Sequence, residues 1–124
     1  MNRRGFTFIE ILVVMIVIGI LATLAYLRIQ QTKDKAVVAS MTSDLRAVAE
    51  EQEAYYFQYR LYSAILDSLN PRLSPGDSIT IREATPSGWS GSVQNPKTTK
   101  QCYIVVGAAT PVGSASSDGV ISCS

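Results

Sequence analysis

Residues 6–27 read FTFIEILVVMIVIGILATLAYL, and the reading of this stretch decides the fold. It carries one charge, Glu10, and from Ile11 to Leu27 it carries none. As a helix rising 1.5 Å per residue, its 22 residues reach about 33 Å, close to the roughly 30 Å hydrocarbon core of a bilayer. A membrane-competent helix follows. Two ordinary explanations compete for it, a cleaved secretory signal and a plain single-span anchor. Arg3 and Arg4 before the segment and the small-residue site Thr23-Leu24-Ala25 suit the signal. Neither explains Glu10, because a carboxylate within an apolar span costs about 2.5 to 3.5 kcal/mol on insertion scales.

Outward to the amino terminus, Met1-Asn2-Arg3-Arg4-Gly5 precedes Phe6-Thr7-Phe8-Ile9-Glu10 and the apolar run. This arrangement resembles the type III signal of the type IV pilin superfamily: a short basic leader ending in Gly, then Phe, then Glu four residues on. The resemblance implies cleavage between Gly5 and Phe6, N-methylation of Phe6, and a mature chain from Phe6 to Ser124 that keeps its apolar segment. It also implies that Glu10 neutralises the Phe6 ammonium of a neighbouring subunit as helices pack side by side. A methylated amine keeps its positive charge. In a low-dielectric filament core an opposite charge is worth far more than in water and an unpaired one is costly, so the pair favours correctly staggered neighbours.

Outward to the carboxyl terminus, no Pro occurs before Pro71, and helix is expected to continue to about Phe57. Val38, Met41, Leu45, Val48, Gln52 and Tyr55 follow at steps of three and four, one mostly apolar stripe. Asp34, Ser40, Ser43, Asp44, Arg46, Glu50, Glu51 and Glu53 mostly fall on other faces. The expected helix is thus apolar all round at first and amphipathic afterwards, buried among other helices in one part and against its own small domain in the other. Gly19 matches a Gly common in the family and permits close helix approach, or is an incidental Gly in a membrane helix. Leu27 departs from the family, many of whose members carry Pro there and melt locally; without Pro that melting has no support.

The expected organisation is a leader at 1–5, a transmembrane and filament-core helix at 6–27, an amphipathic helix at 28–58 and a β-sheet head at 59–124. Tyr55, Tyr56, Phe57, Tyr59 and Tyr62 crowd the end of the helix, where large rings with polar tips suit the rim of a small core or an interface. A similar run ends the helix in many pilins and pseudopilins. Ile65, Leu66 and Leu69 suggest a short helix stopped by Asn70-Pro71, and Ser74-Pro75-Gly76-Asp77 a turn. Ile79–Arg82, Trp89–Gln94 and Cys102–Val106 read as three strands joined too closely for helical crossovers, hence an antiparallel meander against the helix stripe. The fold class is α+β. Gly88-Trp89-Ser90, Thr98 to Cys102 and Gly107 resemble the head of a subgroup of bacterial pilins.

Cys102 and Cys123 are the only cysteines. One disulfide is expected, against the alternative of two unpaired buried thiols, and a bridge of this span is worth on the order of 3 kcal/mol. It implies an oxidising compartment for the head. In the family it closes a loop near the carboxyl terminus, and Thr110 to Gly119, with Val112 its one large side chain, fits an exposed loop.

The composition excludes other classes. The 124 residues carry 11 Lys and Arg against 10 Asp and Glu, so no basic field for nonspecific nucleic-acid binding exists. The chain has no His, which removes the commonest general base and every His-ligated metal site. Neither a phosphate-binding Gly loop nor EF-hand spacing is present. Asp67, Asp77, Glu83 and Asp118 read as solvated acids although some related pseudopilins bind calcium, and no catalytic residue, metal or cofactor is expected. Arg28, Lys33 and Lys35 balance Arg3 and Arg4 across the span; leader and disulfide orient it, amino terminus in the cytoplasm and head outside.

The resemblance implies a structural pilin subunit, held in the inner membrane as a single-pass protein and then polymerised into an extracellular type IV pilus serving adhesion, twitching motility or DNA uptake. Its implied partners are copies of itself, a prepilin peptidase, a membrane assembly platform and cytoplasmic assembly ATPases. The alternatives are a type II secretion pseudopilin or minor pilin, and, in a different class, a signal-anchored monomeric binding protein.

Overall fold

The structure, a computed structural model, describes residues 5–124. Leader residues 1–4 lie outside the described residues. With no proline to interrupt it, α1 runs over Phe8–Tyr59, 52 residues, unbroken at Leu27. It stops at Arg60, whose φ of 58° leaves the right-handed region while its N–H still reaches the Tyr56 carbonyl at 2.8 Å. That left-handed stop resembles a glycine cap, and a cation there suits the negative end of the helix dipole.

Two compact units divide at Lys33 and Asp34, within α1. In the first, every described residue is exposed: Ile11 is 52% accessible, Leu21 61% and Leu24 59%. In the second, Met41, Leu45, Val48 and Gln52 are fully buried, with Val38 and Tyr55 half-buried at the ends of that stripe. This is the expected stripe with one correction. Asp44 does not lie on a solvent face but is buried beside Leu45, because its carboxylate accepts hydrogen bonds from the Ser74 N–H at 2.6 Å and hydroxyl at 2.9 Å. Two such acceptor contacts offset the desolvation that otherwise keeps a carboxylate out of a core.

After a single 3-10 turn at Leu66–Ser68, where a short helix was expected, the chain forms β1 (Ser78–Thr85), β2 (Gly88–Gln94), β3 (Gln101–Gly107) and β4 (Ser122–Cys123). The sheet order is β1-β2-β3-β4, and every neighbouring pair is antiparallel. The three expected strands are present and slightly longer than their apolar cores suggested. The two-residue β4 has no hydrophobic pattern of its own and joins the sheet through Cys102↔Cys123 and through hydrogen bonds between Gln101 and Ser124 at 2.9 and 3.0 Å. Turn 74–77 closes with the Asp77 N–H on the Ser74 carbonyl at 3.1 Å, with Gly76 at φ 88° after Pro75, as a type II turn requires. Gly88 pairs with Gly107, and a side chain at Gly88 would strike the Val106 carbonyl and the Ala108 and Ala109 amides.

The core lies between one face of the sheet and the stripe of α1, with Trp89, Val93, Cys102 and Ile104 meeting Met41, Leu45 and Val48. On the other face of β3, Val105 meets Ala109 and Ala115, flanked by Tyr103 and Val112. The 110–119 loop is therefore not simply an exposed loop. Its single alanine, Ala115, is small enough to lie flat on the sheet beside Ala109, and is buried to 1% accessibility.

Candidate assembly site

The geometry at the start of α1 follows from two residues, Thr7 and Glu10. Thr7 is the last residue outside the helix and Glu10 the third inside it. The Glu10 carboxylate accepts the Thr7 N–H at 3.2 Å and the Thr7 hydroxyl at 3.3 Å, while the Glu10 N–H reaches the Thr7 hydroxyl oxygen at 3.4 Å. This reciprocal capping box satisfies backbone donors that a helix start leaves unpaired. The sequence reading missed Thr7. The signal was present as Thr-x-x-Glu directly before an apolar run.

Phe6 is 82% exposed, and among the described residues, its chain neighbours aside, no atom stands within 4 Å of where a Gly5 side chain would begin. Gly5, Phe6 and Glu10 are thus close together in an accessible stretch, and among the described residues Glu10's side-chain hydrogen bonds go to Thr7. Beyond them, the apolar stretch of α1 passes the length and hydropathy requirement for a membrane span, with none of that window buried within the molecule. Thr23 returns its hydroxyl to the Gly19 carbonyl at 2.9 Å, so this polar side chain is satisfied inside the helix. Together with the methylation motif described below, the exposed apolar helix fits a membrane-anchored precursor.

The far end of the head is fastened by side chains that act on backbone. Gln52, at zero accessibility, donates to the Ser63 carbonyl at 2.8 Å and accepts the Ser63 N–H at 2.8 Å. This two-bond clamp is why a polar residue occupies the apolar stripe. The aromatic run forms two ring pairs, Tyr55 with Tyr59 at 4.5 Å and Tyr56 with Tyr62 at 4.8 Å. Tyr62 donates to Glu53 at 3.1 Å, and burial, followed by that carboxylate, pushes its hydroxyl up to about 12.

Cys102 and Cys123 form the expected disulfide, with Cα atoms 4.0 Å apart. Cys102 is fully buried, and Cys123 lies 3.8 Å from the Thr42 hydroxyl on α1. Three of the four acids considered for calcium have separate partners: Asp118 accepts the Gly107 N–H at 2.7 Å, Glu83 the Thr110 N–H at 2.9 Å, and Asp77 the Asn95 amide at 2.5 Å. Among the described residues no group of three or more His, Cys, Asp or Glu is placed to hold a metal ion. Asp77 also receives the Ser40 hydroxyl at 3.3 Å. Burial, the largest cause, raises its carboxyl above the ordinary carboxylate range; the Asn95 amide pulls it back, and the neighbouring Asp44 carboxylate raises it further.

Residues 1–26 match the prokaryotic N-terminal methylation motif. The chain is 30% identical over 104 residues to the type II secretion system core protein G of Klebsiella michiganensis, a match covering 75% of this chain and 72% of that protein. It is 28% identical over 104 residues to the core protein G of Dickeya chrysanthemi, covering 75% and 67%. Against the core protein G of Pseudomonas aeruginosa it is 40% identical over 58 residues, covering 44% and 41%. The methylation motif covers the residues that carry the capping box and the start of the apolar helix, and the two longer matches extend well beyond it. The chain belongs to the type IV pilin superfamily, and core protein G of type II secretion systems is among its relatives.

Proposed function

We propose that this chain is a filament subunit whose activity is polymerisation, with no catalytic role, and that its filament is of the type II secretion kind. The observation that carries polymerisation is the exposed apolar face of α1 from Phe8 to Ile29, headed by a carboxylate that a simple anchor does not need. In the precursor that face is covered by lipid. In a filament it is covered by the same face of other copies, and Glu10 exchanges its local Thr7 donors for the Phe6 ammonium of a neighbour. The three relatives named above favour a secretion pseudopilin over the major pilin of a long type IV pilus. Adhesion, twitching motility and DNA uptake draw no support from them. On this reading the partners are further copies of the chain, a prepilin peptidase that cuts after Gly5 and methylates Phe6, a membrane platform and its ATPases.

Two measurements test the reading. Mass spectrometry of the purified protein should show an amino terminus at Phe6 with one added methyl; an intact Met1 would instead support the signal-anchored monomer. Deleting the chain should abolish export of folded proteins while leaving long surface fibres unchanged. Loss of surface fibres and twitching, with secretion intact, would return the assignment to a type IV pilus.

A further inference from the structure

From Ile11 to Lys33 the chain carries two charges, Arg28 and Lys33, and no acid. Both cations are exposed in the first unit of α1, just past Leu27, where the uncharged span ends. No Asp or Glu stands three or four residues from either, the separations at which helical side chains pair. Asp34 and Lys35 come next and offset each other in sign, so an excess of two positive charges remains at the end of the span. The uncharged polar groups of this stretch are satisfied within the helix: the Gln30 amide donates to the Tyr26 hydroxyl at 3.3 Å, and the Thr32 hydroxyl to the Arg28 carbonyl at 2.9 Å. Among the described residues, the one Lys or Arg side chain that donates a hydrogen bond is Arg82, to the Ser92 hydroxyl at 3.2 Å. The Arg28 guanidinium and the Lys33 ammonium therefore find no acceptor among the described residues.

Their placement separates the kinds of partner. At 3.6 residues per turn, the five steps from Arg28 to Lys33 turn the helix by about 140° and advance it by about 7.5 Å. The two cations stand on nearly opposite sides. A single acidic protein surface approaches from one side and meets one of them, whereas a layer of lipid headgroups surrounds the helix and meets both. The heights agree with a headgroup layer, which extends about 5 to 8 Å beyond the hydrocarbon core on each side of a bilayer. Arg28 begins at the edge of the core, and its long stem carries the charge outward. Lys33 begins about 9 Å beyond Leu27. Side chains on a helix lean toward its amino terminus, so its ammonium comes back toward the lipid. Tyr26, 63% exposed and seven residues before Lys33 on the same flank, adds an apolar ring with a polar tip at this boundary.

We propose that Arg28 and Lys33, with Tyr26 beside them, form a collar that binds the phosphate groups of anionic phospholipids in the leaflet at the carboxyl end of the span, and so fixes the depth of α1 in the bilayer. The occupant is the headgroup layer of the membrane, selected by its charge and by its presence on every side of the helix. The collar needs only the membrane-anchored chain and is independent of whether that chain assembles.

The test uses the full-length chain in phosphatidylcholine vesicles that carry either spin-labelled phosphatidylglycerol or spin-labelled phosphatidylcholine. The motionally restricted fraction of the label reports the lipid held at the protein. The wild type is expected to hold phosphatidylglycerol at least about threefold better than phosphatidylcholine at low salt, with most of that preference lost at about 1 M NaCl. Arg28→Gln with Lys33→Gln should lower the preference at least about twofold. Lys97→Gln with Lys100→Gln, which removes two exposed cations of the head, should leave it unchanged. Arg3 and Arg4 are present in every chain compared and contribute equally to all. Formation of the Cys102–Cys123 disulfide checks that each head has folded. Equal retention of the two lipids by the wild type overturns the collar, as does a preference undiminished in the Arg28 and Lys33 variant. A preference lost with Lys97 and Lys100 assigns the lipid to the head and overturns it as well. Inorganic phosphate that abolishes the preference, where chloride of equal ionic strength does not, assigns the cations to a free anion and also overturns it. No assembled species is measured, so a failed collar leaves the filament reading intact.

Discussion

The two parts of α1 differ in a way that no local property of a helix accounts for. Up to Lys33 its described residues, Ile and Leu among them, are exposed; a few turns later Met41, Leu45 and Val48 have no accessible surface. Both parts are helical by the same backbone hydrogen bonds. The second has a sheet to lie against, and in the first no described residue is buried. Burying a Leu or Ile side chain is worth about 1.5 to 3 kcal/mol, so the first part is incomplete until lipid or another helix covers it. The second is complete as it stands. One helix therefore serves two associations, one between molecules and one within the molecule.

Perturbations should separate the two. The largest effect is expected at Glu10. Glu10→Val removes the charge from the apolar span, so membrane insertion is retained or improved, while fibre is nearly abolished for want of a counter-charge to Phe6. Membrane fractionation alongside the ladder of crosslinked oligomers of the chain in whole cells checks both arms, and a wild-type ladder from this variant would end the intersubunit role of Glu10. Next comes the inner face. Leu45→Ala should cost about 2 to 5 kcal/mol in the head with insertion unchanged. Trp89, the sole tryptophan and fully buried, makes the unfolding readable by fluorescence of the detergent-solubilised chain. An unfolding midpoint equal to wild type would mean that the helix stripe does not hold the head.

Of similar or smaller size, Cys102→Ser with Cys123→Ser should lower head stability by about 3 kcal/mol by the chain-entropy account and free the β4 segment from β3. Faster proteolysis after Gly119, with insertion unaffected, is the expected signature. Thr7→Ala removes the cap and should cost about 1 kcal/mol of local helix stability. Hydrogen exchange at the first turn would register it, and unchanged exchange there would show that Glu10 makes no use of Thr7.

The smallest effect is a pH dependence at Asp77. Its carboxyl is raised in the folded head, so the folded state holds that proton more tightly than the unfolded chain does. The associated stability is fully present below the ordinary carboxylate pKa and is lost as pH rises through the raised value. Asp77→Asn should flatten that slope in a pH series of unfolding midpoints. A slope identical to wild type would place the acid response elsewhere.

Much of this was legible because the chemistry is local or periodic. The span, the stripe through Met41, Leu45 and Val48, the three main strands and the turn at Pro75-Gly76 all rest on neighbour-to-neighbour patterns that fold the same way almost regardless of context. Asp44 was misplaced because a charge is read as exposed until a distant residue, here Ser74, is brought to it. β4 was invisible because its two residues carry no pattern and pair only where β3 and the cysteines hold them.

The sequence by itself determined that an apolar helix with one carboxylate opens the chain, since hydropathy, length and the cost of a buried charge need no partner to be evaluated. Only the tertiary structure decided that Asp44 joins Gln52 in the core and how the last fifteen residues are held. Gln52 on Ser63, Asp44 on Ser74 thirty residues on, and Ala115 on Val105 depend on contacts that reach across intervening chain. Such contacts exist only after the backbone has returned on itself, and their free energy is therefore not written in any local window of the sequence.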